Sequence, residues 1–191
     1  MLELKALGET QVRLLYALQM KRDFPQSELK GLGAIVSLMR AGVYDVLALY
    51  DGGELTAYAL VYRPREGRVL LLDYLAVEPQ LRGRGLGGEL LRCLRAHYAD
   101  RADALMIECE RPKAAPDMAA ARRRIRFYEH AGAWLTRVRL CLFEVEYSIM
   151  VLPCGDGVER EGKDWAEQML SLYRQMLPPG VYARNVRLIR S

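Results

Sequence analysis

Residues 71–91 read LLDYLAVEPQLRGRGLGGELL, and this stretch decides the fold. An apolar run typical of a buried strand ends at Val77, a turn holds Pro79, and the glycine-rich segment Arg82–Gly88 opens a helix. Glycine adopts positive φ without strain, so it lets the backbone approach a ligand closely. Successive N–H groups at a helix start then face an anion, helped by the helix dipole. The stretch therefore predicts a site for a pyrophosphate group.

Other glycine-rich motifs fit this segment less well. A Walker phosphate loop needs Lys-Ser or Lys-Thr after its last glycine, and Glu89-Leu90 stands there instead. A dinucleotide fingerprint belongs to an early βαβ unit, whereas three strand-like runs joined by hairpin turns precede Arg82–Gly88. A plain tight turn that caps a helix does not explain two arginines and four glycines within these seven residues. Pyrophosphate binding is the better interpretation.

The motifs resemble those of the GNAT superfamily of coenzyme A-dependent N-acyltransferases. Its signature, Gln/Arg-x-x-Gly-x-Gly/Ala, is similar to Arg82–Gly87, and the family's small-residue-plus-Val strand end is similar to Leu75–Val77. A second motif also appears, because Ile107–Cys109 resembles the Leu-Glu-Val of the family's fifth strand. Phe127–Ala133 likewise resembles its Tyr-x-x-x-Gly-Phe. The resemblance covers residues 1–152 and implies a mixed α/β sheet flanked by helices.

The resemblance also implies acetyl-coenzyme A as co-substrate. Backbone groups of Leu75 and Val77 would bind the pantetheine arm, and the amides of Gly83–Gly88 would bind the pyrophosphate. Two departures stand out: Arg111–Met118 lacks the Asn that the family often has after its fifth strand, and Ala133 replaces an aromatic residue. The implied cofactor-binding residues are Leu75, Ala76, Val77, Arg82, Gly83, Arg84, Gly85, Leu86, Gly87 and Gly88.

Catalysis needs a base, because an ammonium group of pKa near ~10 cannot attack a thioester. Glu108 matches the position that several family members use as base, and Glu110 shares its strand face. Asp73 is either functional or paired with an arginine, because a carboxylate inside an apolar run is costly to bury alone. For Glu110 we favour a salt bridge to the helix that carries Arg122–Arg126. The resemblance implies that Tyr128 protonates the departing thiolate.

Composition narrows the remaining possibilities. The 191 residues are 51% hydrophobic and 27% charged with a net charge of +4, so a dense nucleic-acid-binding face is not expected. The four cysteines form no CxxC pair, which argues against a metal site and for buried thiols in a reducing compartment. Neither a signal peptide nor a membrane-spanning run is recognisable. We expect a cytoplasmic protein that has no membrane or nucleic-acid partner.

The chain reads as one GNAT domain over residues 1–152, followed by a linker and a C-terminal helix over residues 153–191. We expect Ser27 to cap a helix that ends before Gly42. The apolar stripe Trp165–Met176, opened by Asp164, is expected to pack on the domain or on a second subunit of a homodimer.

Three functions stay open at this point. The preferred one is transfer of an acetyl group to a primary amine of a small molecule, directly in a ternary complex. The alternatives are a protein lysine or N-terminal acetyltransferase, and a non-catalytic acyl-CoA-binding module. No cysteine lies in an activating group of residues, which argues against a covalent enzyme intermediate.

Overall fold

The structure, a computed structural model, describes residues 1–155, 157–161 and 163–189. Its strands are β1 (Leu2–Ala6), β2 (Tyr44–Asp51), β3 (Glu54–Tyr62), β4 (Val69–Val77), β5 (Ala104–Glu110), β6 (Trp134–Leu142), β7 (Val145–Pro153) and β8 (Val186–Leu188). Its helices are α1 (Glu9–Leu15), α2 (Lys21–Asp23), α3 (Leu32–Arg40), α4 (Leu86–Tyr98), α5 (Met118–His130), α6 (Trp165–Met176) and α7 (Pro179–Asn185). A π-helical turn, Tyr16–Met20, joins α1 to α2.

The strands form a mixed sheet in the order β1-β2-β3-β4-β5-β7-β6-β8. Val69–Leu72 of β4 pairs in parallel with Ala104–Ile107 of β5, whereas β5 pairs with β7, and β7 with β6, in the antiparallel sense. This sheet and its flanking helices confirm the predicted fold class, a mixed α/β sheet flanked by helices.

The chain divides into two compact units. The first comprises Met1–Arg63 and Asp73–Leu90, and the second comprises Pro64–Leu72 and the chain from Leu91 onward. The division passes through β4. As a result, the glycine-rich segment belongs to the first unit, and the β5 carboxylates and α5 belong to the second.

The first unit is built around β2 and β3, which are buried along most of their length. Val12 and Leu15 on α1, and Ile35 and Val36 on α3, are buried at the helical spacing that the sequence indicates. A nearly continuous apolar strand such as β3 is typical of a strand covered on both faces. The helices α1 and α3 supply apolar stripes of the kind that such coverage requires.

One helix start was predicted wrongly in this unit. The helix begins at Leu32, with Gly31 as its N-cap, rather than after Ser27. The hydroxyl of Tyr74 explains the difference, because it donates to the carbonyl of Glu28 and accepts from the N–H of Lys30, both at 2.8 Å. These bonds occupy backbone groups that a helical turn at Glu28–Lys30 would need.

The second unit contains two C-terminal elements that the sequence pattern did not reveal, α7 and β8. β8 is only three residues long and pairs with β6, where Val186 lies opposite Leu142. α6 begins as expected, since the Asp164 side chain accepts from the N–H of Glu167 at 3.0 Å. The ring of Trp165 on α6 packs edge-to-face on the ring of Trp134, and the two ring centroids lie 6.2 Å apart. The buried residues of α6 are Trp165, Met169, Leu172 and Tyr173.

Met169 tests how much α6 contributes to stability. Its side chain is fully buried, so Met169→Ala leaves a cavity and should lower the free energy of unfolding by about 2–5 kcal/mol. Met118→Ala is the control, because Met118 is 48% exposed and its truncation should change stability by less than about 0.5 kcal/mol. Urea unfolding measures both, and equal effects would show that α6 contributes little.

Candidate functional site

The glycine-rich segment has the backbone geometry of an anion-binding loop. Gly83 and Gly85 both have φ of +79°, a conformation in which a side chain is strained. The first helical bond of α4 runs from the N–H of Glu89 to the carbonyl of Gly85 at 3.1 Å. A Cβ placed on either glycine would meet no atom within 4 Å. Open space therefore lies beside the loop, and a diphosphate group fits its residues.

The two arginines of the segment differ in their partners. Arg82 donates to the carbonyl of Val77 at 3.2 Å and lies 3.4 Å from the carboxylate of Asp23. Arg84 is exposed and has no ion-pair partner within the described part of the chain. Arg82 is thus held by the first unit itself, and the Arg84 guanidinium remains available to an anion.

A buried ionic network supports the start of this segment. The guanidinium of Arg22 makes two bonds to Asp23 (2.9 and 3.0 Å) and two to Glu78 (3.1 and 3.2 Å). The side chains of Asp23 and Glu78 are only 1% and 7% exposed. Tyr58 donates to Asp23 at 2.8 Å, and burial followed by this bond raises the pKa of the Tyr58 hydroxyl. Bonds to Asp23 and then Glu78 likewise raise the pKa of Arg22.

Asp73, the alternative base, is buried and paired. Its carboxylate accepts from the ammonium of Lys30 at 2.8 Å and makes a short hydrogen bond with Tyr44. Burial, and then the charge of Asp73, raises the pKa of Tyr44, so that hydroxyl stays a donor. The partner is a lysine and a tyrosine rather than the arginine that we considered from the sequence.

The β5 carboxylates lie in the second unit. Glu108 accepts a short hydrogen bond from the hydroxyl of Tyr173 on α6. Glu110 lies 3.9 Å from the guanidinium of Arg124, the kind of ion pair that the sequence indicated for it. Side chains alternate along a strand, so Cys109 projects from the opposite side to these carboxylates.

Tyr128 is buried on α5, with its ring 4.9 Å from that of Phe127. Burial is the main cause that raises the pKa of Tyr128, and the neighbouring thiol of Cys109 adds to it while Arg124 opposes it. The hydroxyl is therefore fully protonated at neutral pH. Among the described residues it has no hydrogen-bond partner.

The cysteines offer no nucleophile or metal site of evident function. Burial raises the pKa of Cys109 to about 12 and that of Cys154 to about 11, so both thiols stay neutral near pH 7. Within residues 1–155, 157–161 and 163–189, no group of three or more His, Cys, Asp or Glu side chains is placed to hold a metal ion.

The candidate site thus combines a glycine loop that has two left-handed residues with an exposed arginine, next to a mixed sheet. Residues 43–132 match the family model described as "Acetyltransferase (GNAT) domain". The chain therefore contains a GNAT acetyltransferase domain over residues 43–132. A comparison with curated proteins finds no match.

Solved structures share the fold at low sequence identity. A putative GNAT-family acetyltransferase from Bacteroides thetaiotaomicron is 20% identical with a TM-score of 0.72, over 92% of this chain and 99% of that chain. The ribosomal-protein-S18-alanine N-acetyltransferase of Escherichia coli is 21% identical with a TM-score of 0.63, over 85% and 100%. A Vibrio cholerae spermidine N-acetyltransferase, solved with CoA and spermine, is 11% identical with a TM-score of 0.60, over 80% and 95%.

Sequence reasoning missed several residues of the candidate site. Lys30 and Tyr44 bind Asp73, and Tyr173 binds Glu108 from a helix 65 residues further along the chain. A carboxylate inside an apolar run signals that a partner exists but not which one.

Among the described residues, no helix has the length and apolar character needed to cross a membrane.

The raised pKa values of the buried thiols predict selective alkylation. At about pH 8 iodoacetamide should modify the half-buried Cys93 and Cys141 and leave Cys109 and Cys154 intact, because alkylation requires the thiolate and access to it. Peptide mass spectrometry identifies the modified residues, and a guanidinium-unfolded sample, in which all four react, is the control. Rapid labelling of Cys109 in the folded protein would contradict its burial.

Proposed function

We propose that the protein transfers an acetyl group from acetyl-CoA to a primary amine of a small molecule, by direct transfer in a ternary complex. The carrying observation is the loop in which Gly83 and Gly85 both adopt positive φ at the start of α4, with Arg84 exposed beside them. Acetyl-CoA supplies the activated acyl group as a thioester. The chain's own residues have three tasks: to hold the diphosphate, to take a proton from the acceptor and to give one to the leaving sulfur.

For binding, we propose that backbone amides between Gly83 and Gly88 donate to the diphosphate, with Arg84 adding a charge-assisted bond. Leu75 and Val77 would bind the pantetheine arm through their backbone groups. Leu75 and Val77 are partly exposed whereas Ala76 between them is buried, which supports the proposal that this part of the strand is accessible to a ligand. Arg82 and Leu86 complete the proposed set, with Arg82 fixed by Val77 and Asp23.

For proton removal, we propose Glu108 as base and Asp73 as the alternative. The ammonium of Lys30 and the hydroxyl of Tyr44 both bind Asp73, so its carboxylate already takes part in a structural ion pair. The hydroxyl of Tyr173 orients the carboxylate of Glu108, and Glu108 matches the position that several GNAT members use as base. That match favours Glu108.

For the leaving sulfur, we propose Tyr128 as hydrogen-bond and proton donor. Its raised pKa guarantees that the proton is present, but it also makes complete transfer to a thiolate unfavourable in the free protein. The positive charge of Arg124 lowers that cost. Tyr128 is therefore expected to act mainly by stabilising the developing negative charge on sulfur.

For the acceptor, we propose a small amine rather than a peptide. The segment around Glu28–Lys30 is tied to β4 through Tyr74 and Asp73. The known relatives span both classes, since one acts on a ribosomal protein and another on spermidine. A screen of acetyl-CoA consumption against polyamines, amino sugars and N-terminal peptides separates them. Turnover with peptides alone would favour the alternative, a protein lysine or N-terminal acetyltransferase, and CoA binding without turnover would favour a non-catalytic module.

We further propose that residues 1–152 carry this activity, that residues 153–191 form the C-terminal extension, and that no metal takes part. A homodimer remains part of the proposal. The four cysteines are free thiols, which suits a reducing compartment, and on that basis we propose a cytoplasmic location.

Gly85 tests the cofactor loop. Gly85→Val forces a β-branched residue into positive φ, so the loop should change shape and CoA affinity should fall by at least about 100-fold, equivalent to two lost charge-assisted bonds. Calorimetric titration with CoA measures this loss. Gly53→Val is the matched control, because Gly53 has φ of +89° in the β2–β3 turn and carries the same strain without the proposed contact. Unchanged CoA affinity in folded Gly85→Val would refute the site.

Tyr128 and Glu108 test the proton transfers. Once an acceptor is found, Tyr128→Phe and Glu108→Gln should each lower kcat by about 10²–10⁴-fold, because each removes one proton-transfer group and preserves shape. Glu110→Gln is the matched control for Glu108, since it lies two residues away on the same strand face. Full turnover in Tyr128→Phe and Glu108→Gln, together with loss in Asp73→Asn, would place the base on β4.

A further inference from the structure

A basic cavity lies in the second unit, beside the first part of α5. Its volume is about 570 Å³, within the range of small-ligand pockets. Pro112, Leu135 and Val138 form apolar parts of its wall. Five cationic side chains line it: Arg111, Lys113, Arg122, Arg137 and Arg139. We call this group the basic pocket.

An irregularity in β6 creates one wall of the basic pocket. The pairing of β6 with β7 is interrupted between Leu135 and Arg139. The Thr136 hydroxyl secures the interrupted segment, since it donates to the carbonyl of Ile149 at 2.8 Å and accepts from the N–H of Val138 at 3.1 Å. Bulges of this kind redirect side chains and are common next to functional sites. Here the irregular segment carries Arg137, and pairing resumes at Arg139.

The opposite wall is also fixed in place. The N–H of Arg111 donates to the carbonyl of Glu146 at 2.8 Å, which continues the pairing of β5 with β7. The Asp117 side chain caps α5 by accepting from the N–H of Ala120 at 2.9 Å. This cap orients the first turns of the helix, and therefore Arg122. The pocket is thus a preformed feature of folded elements.

The positive charge of the pocket is largely uncompensated. Arg111 pairs with Glu146 at 2.7 Å. Across residues 1–155, 157–161 and 163–189, Lys113, Arg122, Arg137 and Arg139 have no carboxylate within ion-pair distance. Several arginines elsewhere are paired, as Arg68 is with Asp103 and Arg63 with Asp45. Four like charges around one concavity repel each other, and a bound anion would relieve that repulsion.

We propose that the basic pocket binds a small organic phosphate, separately from the acetyl-CoA loop. Guanidinium groups match phosphate oxygens in a bidentate manner, and four of the five cations are arginines. The apolar wall suits the organic part of the ligand. None of the described residues that line the cavity is aromatic, so it lacks the stacking surface with which proteins hold single-stranded nucleic acid.

Calorimetric titration with inorganic pyrophosphate, on protein already saturated with CoA, tests the proposal. We expect one binding event per chain that weakens by about tenfold or more in the double variant Arg137→Gln/Arg139→Gln, the loss of one or more charge-assisted bonds. Arg122→Gln, on a different element, should also weaken it. The control is Arg123→Gln/Arg126→Gln, which removes the same charge from exposed positions of α5 outside the pocket and should stay within about twofold.

Each outcome decides the question. Absence of pyrophosphate binding to the CoA-saturated protein would refute a separate site, and so would equal weakening in the control variant. A parallel titration with citrate separates phosphate recognition from general anion attraction, and citrate binding as tight as that of pyrophosphate would refute the phosphate class. The comparison between variants does not depend on acetyl transfer. It therefore stands or fails independently of the proposed function.

Discussion

The first unit depends on one guanidinium shared by two buried carboxylates. Arg22 bridges Asp23, at the end of the first helical segment, and Glu78, directly after β4. Without that cation, Asp23 would keep only the more distant guanidinium of Arg82 at 3.4 Å, and Glu78 would lose its ion pair in a nearly buried position, a costly arrangement. Glu78 is also tied to β3, because its N–H donates to the carbonyl of Thr56 at 2.9 Å. The network thus fixes the point from which the chain turns toward Gly83 and Gly85.

Tyrosine hydroxyls recur as the partners of the buried carboxylates. Tyr58 donates to Asp23, and Tyr44 and Tyr173 make short bonds with Asp73 and Glu108. Burial raises the pKa of Tyr44 and Tyr58, so these hydroxyls keep their protons wherever the carboxylates are charged. A neutral donor orients a carboxylate but leaves its negative charge in place. Asp73 also pairs with the ammonium of Lys30, so its carboxylate takes part in a structural ion pair as well.

The sequence predicts best where the rules are local. The helix α6 spans Trp165–Met176, the bounds that its apolar stripe indicates, because Asp164 caps it and the helical spacing follows. The helix expected after Ser27 fails for a nonlocal reason. Tyr74, more than 40 residues away, takes the backbone groups at Glu28 and Lys30. β8 escapes prediction because three residues carry no usable periodicity.

The site shows the same limit of local rules. The positive φ of Gly83 and Gly85 follows from the glycines themselves, so the loop is readable from the sequence. The hydrogen-bond partner of Glu108 cannot be predicted from the sequence, since Tyr173 is recognisable only as one apolar member of the α6 stripe. The hydrophobic spacing of a helix indicates which side chains are buried, but it does not show which group the polar atom of a buried side chain contacts. Candidate bases therefore have to be judged by their partners.

The ion pairs divide the charged side chains into those that are paired within the fold and those that can still bind a ligand. Asp103 pairs with Lys163 and Arg68, and these bonds, Lys163 first, lower its pKa. Its stabilising contribution is thus present above its ordinary pKa and is lost as the pH falls through the lowered value. Such pairs hold elements together and have no charge left for a ligand. Within the described residues, Arg84 and most of the basic pocket lack such pairing. Burying an anion against them costs little reorganisation, because no internal bond must break first.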